Sequence, residues 1–462
     1  MRSLRCARGL LSARGVPLGG SACTPRVPSG TRYMLPLVAA LAGLAAREGL
    51  RPLSASALDC PCGDERWCRP LTIPKTKTKP EIFTFDPGTT PEVWQRLDWT
   101  SITTIAFAGP APRDLVCDAH RRGVRVVVLT GLMPEAANDT VVEHWISAQM
   151  AIVSANGTDG VNIDIEGYGT VEDPAPRGEL TQLVANLSNA LRAKNPHAQI
   201  SMDAVGYPAN GFWWTGYDWP KLAQHVDFLV VMMYDLLNVD ACSRGNCSLQ
   251  PSYSIYAQSA LPAHAETVKQ YKTRGVPPSK LVLGVPCYGY SSESEFALAM
   301  QLFCPVSIVS DPSVRTRTAD DCGIRMPVAV PCASTDRALP CELPVPWPAD
   351  PVAPWPCKEQ PDPWCCPQQV SYTEVLRLKE DATSGPWQYD AVSVSAFFGA
   401  RNATGGRSQL WYDDPATLSV KATWMKAVGV RGVAMWTASS VNYTVRGGQD
   451  AAAMWAALRL IL

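Results

Sequence analysis

Charged residues are few in this chain and nearly cancel: 18% of 462 residues, with a net charge of −1. That leaves no basic field for a nucleic-acid partner. Histidine is scarcer still, five in all and none paired at metal-ligand spacing, which argues against a zinc hydrolase. Long hydrophobic runs are missing too. The apolar stretch 34–46, MLPLVAALAGLAA, follows Arg32 and is too short to cross a bilayer but of signal-peptide length. Residues 1–58 are therefore read as a targeting region, with no membrane span expected after its removal. Upstream, residues 1–33 carry six arginines and no acid. They read as a long signal n-region, a transit peptide, or untranslated sequence ahead of a start at Met34, the reading preferred here.

Cysteine and proline are plentiful, at 16 and 40. That much cysteine points to an oxidising compartment. Cys60, Cys62 and Cys68 lie in DCPCGDERWCRP, too tightly spaced for a zinc knuckle, so disulfides are expected. Six sequons, at Asn138, Asn156, Asn186, Asn246, Asn402 and Asn442, agree with secretion.

From residue 80 onward, apolar β-rich runs alternate with helical patterns. The runs are 81–86, 103–109, 124–131, 160–167, 199–206, 227–235, 280–290 and 432–439. Helical spacing is clearest in 179–195, where Leu180, Leu183, Val184, Leu187 and Leu191 share a face. Eight such units predict an α/β fold, a closed (β/α)8 TIM barrel over 59–462. One segment breaks the rhythm. Residues 291–370, after strand seven, hold seven cysteines and fourteen prolines, a density that prevents ladders and helices. The readings are a disulfide-stapled subdomain roofing the cleft, a loose Pro-rich loop, or translated intron; an inserted loop or subdomain is preferred.

The fourth run, DGVNIDIE from Asp159 to Glu166, carries the chemistry. Val161, Ile163 and Ile165 alternate with Asn162, Asp164 and Glu166, so the polar three share one face. Two carboxylates on one face, their α-carbons roughly 6.6 Å apart, repel, and one of them is driven to hold its proton. A carboxyl protonated near neutrality is what a general acid requires. The bland alternative is a solvated strand face. Strand-end residues Asp203, Tyr234, Asp235, Tyr288 and Trp436 also have ordinary core explanations singly, but all converge on the rim where barrel enzymes place their catalytic groups.

DGVNIDIEG resembles the signature strand of glycoside hydrolase family 18, the chitinase family, with Asp159, Asp164 and Glu166 on its acidic positions. Asn162, where many members carry Asp, is a feature of the chitobiase branch, as are Asp59–Pro70, Val285–Tyr290 and Trp411–Asp413. Cys287 departs from the Trp usual at its position, which leaves one wall of the cleft in question. The resemblance implies Glu166, Asp164 and Tyr234 as catalytic residues, with Asn162, Asp203, Asp235, Tyr288 and Trp436 binding substrate. It implies substrate-assisted hydrolysis of an N-acetylglucosamine-containing oligosaccharide, by a monomer needing no metal or cofactor, in the lysosome, vacuole or extracellular space. Rival readings are an endo-chitinase, a sugar-binding protein that has kept the barrel without catalysis, and a cysteine-rich adhesion protein. The last explains 291–370 but not the eight-strand alternation.

Overall fold

The computed structural model describes residues 60–72, 79–85, 90–131, 134, 138–168, 176–208, 216–236, 257–293, 368–381, 384–391, 393–401, 407–444 and 448–462. The leader, most of the Cys/Pro-rich insertion and the sequons at Asn246 and Asn402 lie outside them.

Eight parallel strands close into a barrel. They are β1 (Glu81–Phe85), β2 (Thr104–Ala108), β3 (Arg125–Thr130), β4 (Gly160–Ile163), β5 (Gln199–Val205), β6 (Phe228–Met232), β7 (Leu281–Pro286) and β13 (Gly432–Trp436). Their order round the barrel is β1-β13-β7-β6-β5-β4-β3-β2. The helices on the outside are α1 (Pro91–Trp94), α2 (Arg113–Arg121), α3 (Asp139–Asn156), α4 (Arg177–Lys194), α5 (Trp219–His225), α6 (Leu261–Thr273), α8 (Pro415–Ala427) and α9 (Gln449–Leu458). The strands read as near-continuous apolar runs because both faces are buried. Phe83, Phe85, Val127, Phe228, Val230 and Val282 fill the barrel interior, while their neighbours Ile82, Val126, Val128, Leu229 and Leu283 pack under the helices.

Two glycines allow close approach at strand contacts. A Cβ on Gly160, whose φ is +148°, would lie 1.9 Å from the Gln199 carbonyl oxygen. One on Gly284 in β7 would lie 2.7 Å from the Tyr234 ring, so the absent side chain is the space that ring occupies.

The run 280–290 is not one strand. It breaks at Cys287, and Tyr288–Glu293 (β8) opens a second sheet with β9 (Gln368–Ser371), β10 (Gln388–Asp390), β11 (Ser395–Arg401) and β12 (Arg407–Tyr412). Its order is β10-β11-β12-β8-β9, every pairing is antiparallel, and α7 (Tyr372–Glu380) packs with it. Phe397 and Trp411 stack at 4.3 Å in its core. The insertion after β7 is thus framed by a sheet that reaches back to Tyr288 and forward to Tyr412.

At the amino-terminal end the expected disulfides are present: Cys60–Cys68 closes a short loop, and Cys62–Cys117, whose second member the sequence did not single out, binds the segment before β1 to α2.

Candidate active site

Asp159 and Glu166 belong to opposite ends of the barrel. Asp159 precedes β4 and is buried; its Oδ1 accepts the Leu71 N–H at 2.6 Å and its Oδ2 the Val126 N–H at 2.7 Å. His120 Nε2 lies 3.0 Å from the same Oδ2, and its Nδ1 2.9 Å from the Trp67 carbonyl oxygen. The first acid of the signature is a structural clasp. A cavity of about 670 Å³ at this end, lined by Arg69, Val153 and Leu191, shares only Asp159 with the signature strand.

At the other end the backbone runs on from β4 through Asp164, whose N–H donates to the Thr130 carbonyl at 2.8 Å. Tyr217 donates its hydroxyl to the Ile165 carbonyl and so holds the strand's extension. Beneath the carboxylates, the Ser201 hydroxyl donates to Asn162 Oδ1 at 2.6 Å, and Asn162 Nδ2 donates to Asp203 Oδ2 at 2.8 Å. Asn162 is wholly buried; it supports Asp203 rather than facing the cleft. Oδ1 of Asp203 and Oδ1 of Asp164 are buried without a donor, although the two side chains are in hydrogen-bonding contact. Two acceptor-only groups can meet this way only by sharing a proton.

The electrostatics say where that proton resides. Burial, and then the Asp164 charge, raise Asp203 well above the ordinary range. Burial also pushes Asp164 up to about 6, opposed by hydrogen bonds from Asp203 and Glu166. Glu166 is driven further, to about 8, by burial first, then by Asp164 and Asp235. Glu166 itself is exposed to solvent, while Ile165 before it and Asn162 and Asp203 are buried. Of the three carboxyls, Asp164 is the one least raised, and Asp203 and Glu166 beside it are the ones that hold a proton more strongly.

An aromatic wall stands beside it. Trp436 at the end of β13 lies nearly parallel to Tyr234, with 6.2 Å between ring centroids and 24° between planes. Tyr288 meets Tyr234 edge-on at 6.3 Å. Asp235 Oδ1 accepts from the Tyr288 hydroxyl at 2.6 Å and from the Tyr290 hydroxyl at 2.7 Å.

A profile of glycosyl hydrolases family 18 matches residues 133–440. The chain belongs to this family. It is 28% identical to the di-N-acetylchitobiase of Rattus norvegicus over 411 residues, 87% of this chain and 94% of that one. With the probable di-N-acetylchitobiase 1 of Dictyostelium discoideum it shares 25% over 418 residues, 88% and 94% of the two chains. Among solved structures, the C-terminal domain of a putative chitinase from Desulfitobacterium hafniense superposes with a TM-score of 0.57 at 16% identity, over 83% of this chain and 100% of that one. That likeness carries the fold.

All eight candidate site residues lie on this end of the barrel, in two groups: Asn162, Asp164, Glu166 and Asp203 on one side, and Tyr234, Asp235, Tyr288 and Trp436 on the other, with the Asp235 charge acting on Glu166. Tyr290, Ser201, Tyr217 and Gln258 were not among them. Tyr290 had a signal, since it is two residues from Tyr288 and faces the same way; Ser201 stands likewise two before Asp203. Nothing in the sequence marks Tyr217 or Gln258.

Proposed function

We propose that this glycoside hydrolase cleaves the β-1,4 bond of a GlcNAc–GlcNAc unit by substrate-assisted catalysis, releasing the reducing-end sugar of a free oligosaccharide. The observation that carries the reading is the cluster of Asp164, Glu166 and Asp203 at the carboxyl end of β4, on the same barrel end as the stacked Tyr234 and Trp436 rings. Glu166 donates its proton to the glycosidic oxygen as the substrate's 2-acetamido carbonyl attacks the anomeric carbon, so no protein nucleophile is required. The acetamido N–H then faces Asp164, whose charge balances the oxazolinium. Tyr234 hydrogen-bonds the acetamido oxygen, and the Trp436 ring takes the sugar's apolar face. Glu166, now ionised, removes a proton from the water that opens the oxazolinium.

Similarity to di-N-acetylchitobiases over most of the chain supports the chitobiose core as substrate. The disulfides Cys60–Cys68 and Cys62–Cys117 support passage through an oxidising secretory pathway, for which the lysosome or vacuole is the destination assigned. No described helix is long and apolar enough to cross a membrane.

The test is a substrate panel. A free oligosaccharide ending in chitobiose should release one reducing-end GlcNAc, while its asparagine-linked form and chitin polymer should resist. Equal cleavage of free and linked forms, or mid-chain cuts in chitin oligomers, would assign an ordinary endo-chitinase instead. Binding without turnover in any arm would leave a lectin.

A further inference from the structure

Gln258 lies outside every recognised pattern, yet it is 3% exposed and directs three polar groups at the catalytic rim. Its Oε1 accepts the Asp235 N–H at 3.4 Å, and its main-chain carbonyl accepts the next N–H, that of Leu236, at 3.2 Å. Its Nε2 donates to the Tyr288 carbonyl at 2.9 Å. Asp235 needs such support, because its φ of +53° lies in the left-handed region, which is costly for a non-glycine residue. One side chain therefore joins the end of β6 to the first residue of the second sheet. Asp235 and Tyr288, the residues so joined, also share a hydrogen bond through their side chains.

Gln258 is itself anchored from below. The carbonyl of Ser259 accepts from Lys421 Nζ, and that ammonium is paired with Asp413 at 2.6 and 2.7 Å. Both charged groups are almost fully buried. Asp413 follows β12 of the second sheet and Lys421 sits on α8 of the barrel. A buried pair of this kind adds little net stability, but it defines one arrangement, since moving either member strands a charge.

We infer that Gln258 is a positioning residue for the acid. Held by the Asp413–Lys421 pair, it sets the Asp235 carboxylate against Tyr288 and Tyr290 and so keeps a negative charge at a defined place beside Glu166. The inference rests on the proposed role of Glu166 but not on the identity of the glycan. Asp235 is among the groups that raise Glu166, after burial and Asp164. Loosening Asp235 therefore lets Glu166 ionise at lower pH.

Gln258→Leu keeps the volume and removes both side-chain hydrogen bonds. Gln258→Asn is milder, retaining an amide one methylene too short to reach both backbones. The first readout is the titration of Glu166 in the resting protein, followed by NMR of 13C-labelled glutamate and assigned with Glu166→Gln. Its midpoint should fall by about half a unit or more in Gln258→Leu and by less in Gln258→Asn. The second readout is kcat/KM on the free chitobiose-ended oligosaccharide, which should drop roughly tenfold with its alkaline limb displaced to lower pH. A purely structural role would lower the melting temperature and leave the Glu166 midpoint in place, and that result overturns the inference. If Gln258→Leu does not fold, Gln258→Asn decides on the same criterion. If the wild type cleaves no glycan, the proposed function fails, while the Glu166 titration still decides whether Gln258 positions the acid.

Discussion

At the scale of single residues, the site is a stack of acids whose protons are distributed by burial and neighbours. Glu166→Gln keeps the shape and removes the transferable proton; turnover should fall by at least ~10²-fold, with sugar binding retained in a calorimetric titration. The same variant has a stability signature. A carboxyl whose folded pKa is raised from 4.5 to about 8 is protonated in both states under more acidic conditions. As pH rises from 4.5 toward 8, the unfolded chain releases the proton while the fold retains it, so the folded state loses ground. Gln has no proton to release. Melting temperatures of variant and wild type should coincide near about pH 4 and separate above it, with the variant higher. Identical melts at neutral pH would mean that Glu166 is not perturbed. The activity profile follows from the same groups. Loss of the Glu166 proton sets an alkaline limb near 8, and protonation of Asp164 sets an acid limb near 6 in kcat/KM. In kcat the acid limb should move lower, because a bound acetamido N–H stabilises the Asp164 charge.

At the scale of elements, strand β7 works by what it omits. Gly284 leaves the space into which Tyr234 fits, and Gly284→Ala would set a methyl 2.7 Å from that ring and 3.0 Å from the Val231 carbonyl oxygen. Overpacking of this kind costs ~1–3 kcal/mol. The ring would be displaced from its place against Trp436, so kcat should fall about tenfold or more while the barrel still forms. Near-normal kcat with a folded far-UV spectrum would remove Tyr234 from the proposed mechanism. The helices here were legible because their apolar residues recur at helical spacing; 179–195 was expected and Arg177–Lys194 is found. The second sheet was not legible. Its β10–β11 and β11–β12 pairings are local hairpins, but the strand that ties them to the barrel, β8, pairs with a partner more than a hundred residues away, as Tyr290 does with Trp411, and between β8 and β9 the chain passes through the insertion.

At the scale of the whole molecule, two ties bind peripheral structure to the barrel. The Asp413–Lys421 pair, with Gln258, holds the second sheet to the catalytic end. His120 and Asp159 hold the disulfide-stapled segment to the other. Both ring nitrogens of His120 face acceptors, so the ring carries two protons and a positive charge. Burial alone would lower its pKa, but the Asp159 hydrogen bond and charge outweigh that and raise it above 6.5. The clasp therefore contributes its full stability below 6.5 and loses it as pH rises through the folded value. His120→Leu strands Asp159 and should cost ~3–5 kcal/mol. It should also flatten the pH dependence of the melting temperature above 6.5. A variant that melts like the wild type across that range would deny the clasp.

The barrel was determined by local pattern. Eight apolar runs buried on both faces have few other ways to satisfy their edges, and alternation alone put Asn162, Asp164 and Glu166 on one face. What alternation could not decide is depth. Asn162 and Glu166 share that face, yet the first is sealed under Asp203 and the second opens to the cleft. Asp159, an acid in the same motif, lies at the far end of the barrel and binds the amino-terminal staple. Which acid keeps a proton, which supports and which clasps depends on burial and on partners brought from β5, β6 and the second sheet. Those partners are neighbours only once the barrel has closed.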